Sequence, residues 1–174
     1  MKNLSTIIWL LPIVFMIHDF EEIIFFKFWI KKNWNYLEKK LPNFSKKYIE
    51  KLKKISVPAF SLAVFEEFLL LSLITFTAIY FEFYHLWLAA FMTFSIHLII
   101  HIFQWIYIKM YIPALASSIL LLPYSIYSFI KILNTNYFSL QKWIFLTIFW
   151  VLIMFLNLIF IHKFWEKFDK KFNQ

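Results

Sequence analysis

The stretch LWLAAFMTFSIHLIIHIFQWIYI, residues 86–108, decides the fold class. It contains no Asp, Glu, Lys or Arg, and a helix needs about 20 mostly apolar residues to cross a hydrocarbon core. A lone segment in lipid must satisfy its own backbone, so this stretch is expected to be a membrane helix. Its only strongly polar side chains are His97, His101 and Gln104. They follow one another at helical spacing and so share a face.

Four further runs have the same character, roughly Leu4–Ile30, Ile55–Tyr80, Tyr111–Ile132 and Leu140–Ile161. The expected fold is therefore all-α, a polytopic transmembrane helical bundle of about five spans forming a single membrane domain over residues 1–174. Composition agrees: 62% of residues are hydrophobic and 24% aromatic, and only 16% are charged, against about 25% charged in soluble domains. Mean hydropathy is +0.69. Pro12, Pro113 and Pro123 bend or delimit spans. The first run starts like a secretory signal, Met1-Lys2 before apolar residues, but no small-residue cleavage site follows, so it is expected to be retained.

The lysines orient the bundle. Nine lie in the segment 31–54, at 31, 32, 39, 40, 46, 47, 51, 53 and 54. Lys109 marks the turn between the third and fourth spans, and Lys163, Lys167, Lys170 and Lys171 follow the fifth. With the N-terminus outside, all of these and the C-terminus are cytoplasmic, while Lys2, Lys131 and Lys142 fall on the other face. That is the positive-inside pattern. It points to the plasma (inner) membrane of a bacterium. The net charge of +8 thus reports topology and not nucleic-acid binding. The 31–54 segment interleaves aromatic and aliphatic residues with its lysines and is expected to be an amphipathic basic loop on the cytoplasmic leaflet, facing anionic lipids. The tail 163–174 repeats that design.

Two absences narrow the chemistry. The chain has no cysteine, which excludes disulfides, thiolate metal sites and thiol nucleophiles. It has no glycine, which excludes phosphate-cradling loops and Gly-x-Ser-x-Gly nucleophile motifs. Ser117, Ser118, Ser125 and Ser128 read most simply as helix-packing residues.

Against this background the ionisable residues within spans stand out, because in mid-membrane such groups usually face a protein interior and mark function. His18-Asp19-Phe20-Glu21-Glu22 lies inside the first run, Glu66-Glu67 inside the second, and His97-x-x-x-His101 inside the third. Measured from the cytoplasmic ends at 1.5 Å per residue, the three groups lie about 12–18, 16–18 and 10–17 Å deep. They share one slab. His18, Glu21 and Glu22 share a face, as do His97 and His101, whereas Glu66 and Glu67 diverge by about 100°. Asp19 points away from the His18 face.

Imidazoles with carboxylates suit zinc, iron or manganese. The expected metal ligands are His18, Glu22, Glu66, His97 and His101, enough for one divalent ion or two, with Glu21 or Glu67 as general base to a metal-bound water. Glu82-x-x-His85 falls in the short outer turn and reads as exposed, and Asn157 is placed to line the cavity or to make a packing hydrogen bond. The leading reading is a membrane-embedded metal-dependent enzyme, a hydrolase or a di-metal oxidoreductase, acting on a lipid or other hydrophobic substrate. The alternatives are a metal-ion or proton transporter using the same cluster, and a non-catalytic protein with a hydrogen-bonded polar core.

The motif His18-Asp19-Phe20-Glu21-Glu22, with Glu66-Glu67, His97-Leu-Ile-Ile-His101-Ile-Phe-Gln104 and Lys109-Met-Tyr-Ile-Pro113, resembles the HXXEE-domain family of small integral membrane proteins. The resemblance runs to about Tyr127. It supports the cluster and implies no substrate, since the family has no established activity. Many of its members carry glycine after the proline, where this chain has Ala114.

Overall fold

Lys31 and Lys32 end the first apolar run but not the first helix. In the computed structural model, which describes residues 2–134, 141, 143–153, 156, 157 and 160, α1 runs unbroken over Lys2–Lys40. Its 39 residues span about 58 Å at 1.5 Å each, nearly twice a hydrocarbon core of about 30 Å. Ammonium groups mark where water begins, yet Lys, Glu and Leu are good helix formers, so nothing stops the helix there. Pro42 does, because the residue before a proline is pushed out of the helical region. Pro42 then caps α2, Asn43–Lys54. The expected basic loop is therefore an overhang of α1 followed by a short amphipathic helix. Lys47, Lys51, Lys53 and Lys54 of α2 are exposed, while Ile49 and Leu52 are turned partly inward.

Next come α3 (Val57–Tyr80), α4 (Tyr84–Ile108) and α5 (Leu115–Leu133). These three are long and apolar enough to cross a membrane. They coincide with the second, third and fourth expected spans to within a few residues. A shorter apolar helix, α6, covers Trp143–Ile153 of the fifth run. Most of the remainder of that run, and the basic tail, lie outside the described residues. Among the described residues there is no strand.

The packing makes α1 and α4 the middle pair. α1 touches α2, α3, α4 and α5, and α4 touches α3 and α5, while α3 and α5 share no contact. Leu11, Phe91 and Leu98 are fully buried between these elements. Outward-facing side chains stay apolar, with Leu120 at 70% and Phe103 at 65% exposure. Such an exterior suits an apolar solvent.

Polar donors fasten the bundle at points where a backbone needs them. Pro12 has no N–H, so the Ile8 carbonyl one turn earlier loses its helical donor. Trp87 Nε1 donates to that oxygen at 3.2 Å, and Tyr124 Oη donates to the neighbouring Ile7 carbonyl at 3.0 Å. At the other end Tyr36 Oη donates to Ile108 O at 2.7 Å and Lys27 Nζ to Ile55 O at 2.7 Å. These bonds hold the α1 overhang and α2 against the ends of α4 and α3.

Between α4 and α5 the chain turns through Lys109 at φ 61° and Ala114 at φ 72°. Ala114 is fully buried and precedes the first turn of α5. A β-carbon in the left-handed region costs about 1–2 kcal/mol, which explains why glycine suits this position. Ala114→Gly should therefore stabilise the protein by about 0.5–1 kcal/mol, after the greater freedom of glycine in the unfolded chain is subtracted. A chemical-denaturation midpoint in detergent that falls would contradict this.

Candidate metal centre

α1 and α4 bring His18, Glu22, His97 and His101 together, with one ligand atom from each lying within 4.8 Å of the others. The register explains the meeting: His18 and Glu22 are one turn apart on α1, and His97 and His101 one turn apart on α4. His97 Nε2 and His101 Nε2 are 3.0 Å apart, and His101 Nε2 lies 3.2 Å from Glu22 Oε1. Around an ion with bonds of about 2.1 Å, neighbouring ligand atoms stand about 3.0–3.4 Å apart. The two separations match that spacing. The imidazole centroids are 5.1 Å (His18–His97), 5.0 Å (His18–His101) and 4.4 Å (His97–His101) apart.

α5 sets the tautomer of His18. Ser117 Oγ donates to Glu21 Oε2 at 2.6 Å and lies 3.1 Å from His18 Nδ1. A hydroxyl has one proton; once it is given to the carboxylate, the oxygen accepts from Nδ1–H. The lone pair of His18 is then on Nε2, the arrangement by which an outer hydrogen bond orients a metal-binding imidazole. His18 is fully buried, and its Nε2 has no hydrogen-bond partner.

The other expected site residues separate. Glu21 contributes nothing to the quartet. It accepts from Tyr111 Oη, from Ser117 N at 2.7 Å and from Ala116 N at 3.4 Å, besides the Ser117 hydroxyl. Ala114 has no side-chain acceptor with which to cap α5, so a carboxylate from α1 meets the orphan N–H groups and the positive end of the helix dipole. Glu66 also stays outside the quartet and accepts from Asn157 Nδ2 at 3.3 Å. Glu82 and His85 are exposed at the α3–α4 turn.

Glu67 faces a cavity of about 780 Å³ that begins at the quartet. Asp19, Glu22, Glu67, Thr93, His97, His101 and Gln104 are among its polar lining. Phe15, Phe60, Leu71 and Phe94 are among its apolar walls, and Leu41 with Ile49 and Leu52 of α2 also line it. Asp19, expected to point away, is only 4% exposed and lines the same cavity. Sequence spacing does not disclose it, because a helix enclosed on several sides buries more than one face. Ser117 is likewise absent from the sequence-derived candidates; its sole signal is a serine in the first turn of a helix lacking a cap.

A family model described as a protein of unknown function with an HXXEE motif matches residues 9–128. The chain belongs to the HXXEE family. Comparisons with curated proteins and with solved structures give no match. The matched region carries the whole site, from the HXXEE motif His18–Glu22 through Glu66, Glu67, His97 and His101 to Ser117. Within the motif the structure separates two roles that the name runs together. The histidine and second glutamate face the quartet, and the first glutamate caps α5.

Proposed function

We propose that this HXXEE protein is a membrane-embedded metalloenzyme whose divalent ion is held by His18, Glu22, His97 and His101. The observation that carries the reading is His18: a fully buried imidazole with Nδ1 engaged by Ser117 and an unpartnered Nε2 among three other ligand atoms. A buried polar atom without a partner costs about 1–3 kcal/mol, and an ion removes that cost. Three nitrogens and one carboxylate oxygen suit zinc, iron or manganese.

The substrate in this reading is a lipid or similar amphiphile. A cavity of about 780 Å³ falls in the range of small-molecule sites, about 300–1,000 Å³. Its apolar walls receive a hydrocarbon portion and its polar end brings the reacting group to the metal. The five-span topology belongs to the same proposal, in the plasma membrane with the N-terminus outside and the basic α2 against anionic lipids of the inner leaflet.

Two measurements test it. Elemental analysis of detergent-purified protein should find tightly held zinc, iron or manganese, lost in His97→Ala. Folded protein that never retains metal would sink the reading, and weakly held metal accompanied by ion flux in proteoliposomes would replace it with transport. Topology is testable because the chain has no cysteine. A membrane-impermeant maleimide applied outside intact cells should label Phe83→Cys, in the α3–α4 turn, and spare Lys47→Cys on α2. The reverse pattern would invert the orientation.

A further inference from the structure

We propose a second divalent-cation site in this chain, formed by Asp19 and Glu67 with Glu22 shared between the two ions. The inference rests on the quartet being a metal centre and extends it to a dinuclear one. Its basis is the register of α1: Glu22 stands four residues after His18 and three after Asp19, so it faces both neighbours at once. One of its oxygens, Oε1, is 3.2 Å from His101 Nε2. The other is left for a second ion, in the manner of the bridging carboxylates of helical di-metal proteins.

Asp19 supplies the independent sign of a ligand. It is 4% exposed and lines the cavity, and no hydrogen bond or ion pair joins it to another of the described residues. Glu22 and Glu67 line the same cavity. Among the described residues no lysine lines the cavity, and Lys27 of α1 donates to Ile55 O instead. A cation among three carboxyl groups of one chamber would hold them ionised, where without it they are relieved of mutual repulsion by taking up protons. Glu66 accepts from Asn157 instead, which leaves Glu67 as the carboxylate of α3 that lines the cavity.

The donor sets differ and so do the ions they favour. The first site is three imidazoles and a carboxylate, whereas the second is all oxygen and suits a harder ion such as Mn²⁺ or Mg²⁺. Two ions sharing Glu22 would stand about 3.5–4 Å apart. Glu67 is then a ligand and not a free general base.

Manganese serves as the probe. Purified protein in detergent is loaded with excess Mn²⁺, desalted, and examined by elemental analysis and electron paramagnetic resonance. The wild type should hold two Mn²⁺ per chain and give an exchange-coupled spectrum. Asp19→Asn and Glu67→Gln, both isosteric, should each hold one and give the six-line spectrum of an isolated ion, with thermal unfolding of the metal-free protein at or above that of the metal-free wild type. One ion per chain in the wild type, or two retained in both variants, overturns the second site and leaves the quartet standing. Folded wild type that takes up none overturns the second site together with the metal-centre reading.

Discussion

Replacing Glu21 with alanine should lower the stability of the protein by about 2–3 kcal/mol and weaken metal binding about 10–100-fold. The stability loss follows from where the carboxylate sits. Ser117 N is partly shielded and has Glu21 Oε2 as its acceptor at 2.7 Å, while Tyr111 and Ala116 are exposed enough for water to replace the bond they lose. Hydrogen bonds to a charged group contribute about 1.5–3 kcal/mol, and α5 also loses the anion at its N-terminus. The effect on the metal is transmitted through one hydroxyl. Without Glu21 the Ser117 proton is free to turn towards His18 Nδ1, and the tautomer that leaves Nε2 open is no longer enforced. Denaturation midpoints and competition with a chromophoric chelator read the two effects. Glu21→Gln keeps one acceptor oxygen and should recover part of both. If Glu21 were instead a general base, the alanine variant would lose turnover while stability and metal affinity stayed at wild-type values.

Glu21 also marks the boundary of what the sequence discloses. The slab shared by His18, Glu22, His97 and His101 can be read from depth and register, because each pair is one turn apart on its own helix and charge in lipid is costly. The choice between Glu21 and Glu22 cannot. Both lie within a turn of His18, and only the position of α5 decides which one meets the N–H groups of Ala116 and Ser117. Asp19 fails for the same reason. Its face is away from His18, but the cavity between α1, α3 and α4 reaches round to it. The extension of α1 to Lys40 is hidden for a different cause: lysines report the edge of the membrane, and helix termination is governed separately by Pro42.

Replacing the quartet as a unit (His18→Leu, Glu22→Leu, His97→Leu, His101→Leu) should abolish metal retention and yet leave a protein more stable than the metal-free wild type. Substituting well-packed hydrophobic residues for a buried ionic group is often stabilising by about 1–4 kcal/mol, and here no new orphan is created. Ser117 keeps Glu21 as its acceptor, and the partners of His97, His101 and Glu22 within the quartet leave together. Single substitutions behave differently, since removing His101 alone strands Glu22 and His97 beside one another. The comparison, made with and without metal, decides between a metal centre and a hydrogen-bonded polar core. A hydrogen-bonded polar core can also gain stability when it is made apolar, so the response of the wild type to added metal is what separates the two. A metal centre is frustrated without its ion, and the ion supplies the missing stabilisation: at a thousandfold excess over Kd, binding to the folded state alone contributes about 4 kcal/mol. The expected order of denaturation midpoints is therefore metal-loaded wild type at or above the leucine variant, and metal-free wild type below both. A leucine variant that melts below metal-free wild type would mean that the four side chains hold the bundle together through their own contacts, without a metal between them.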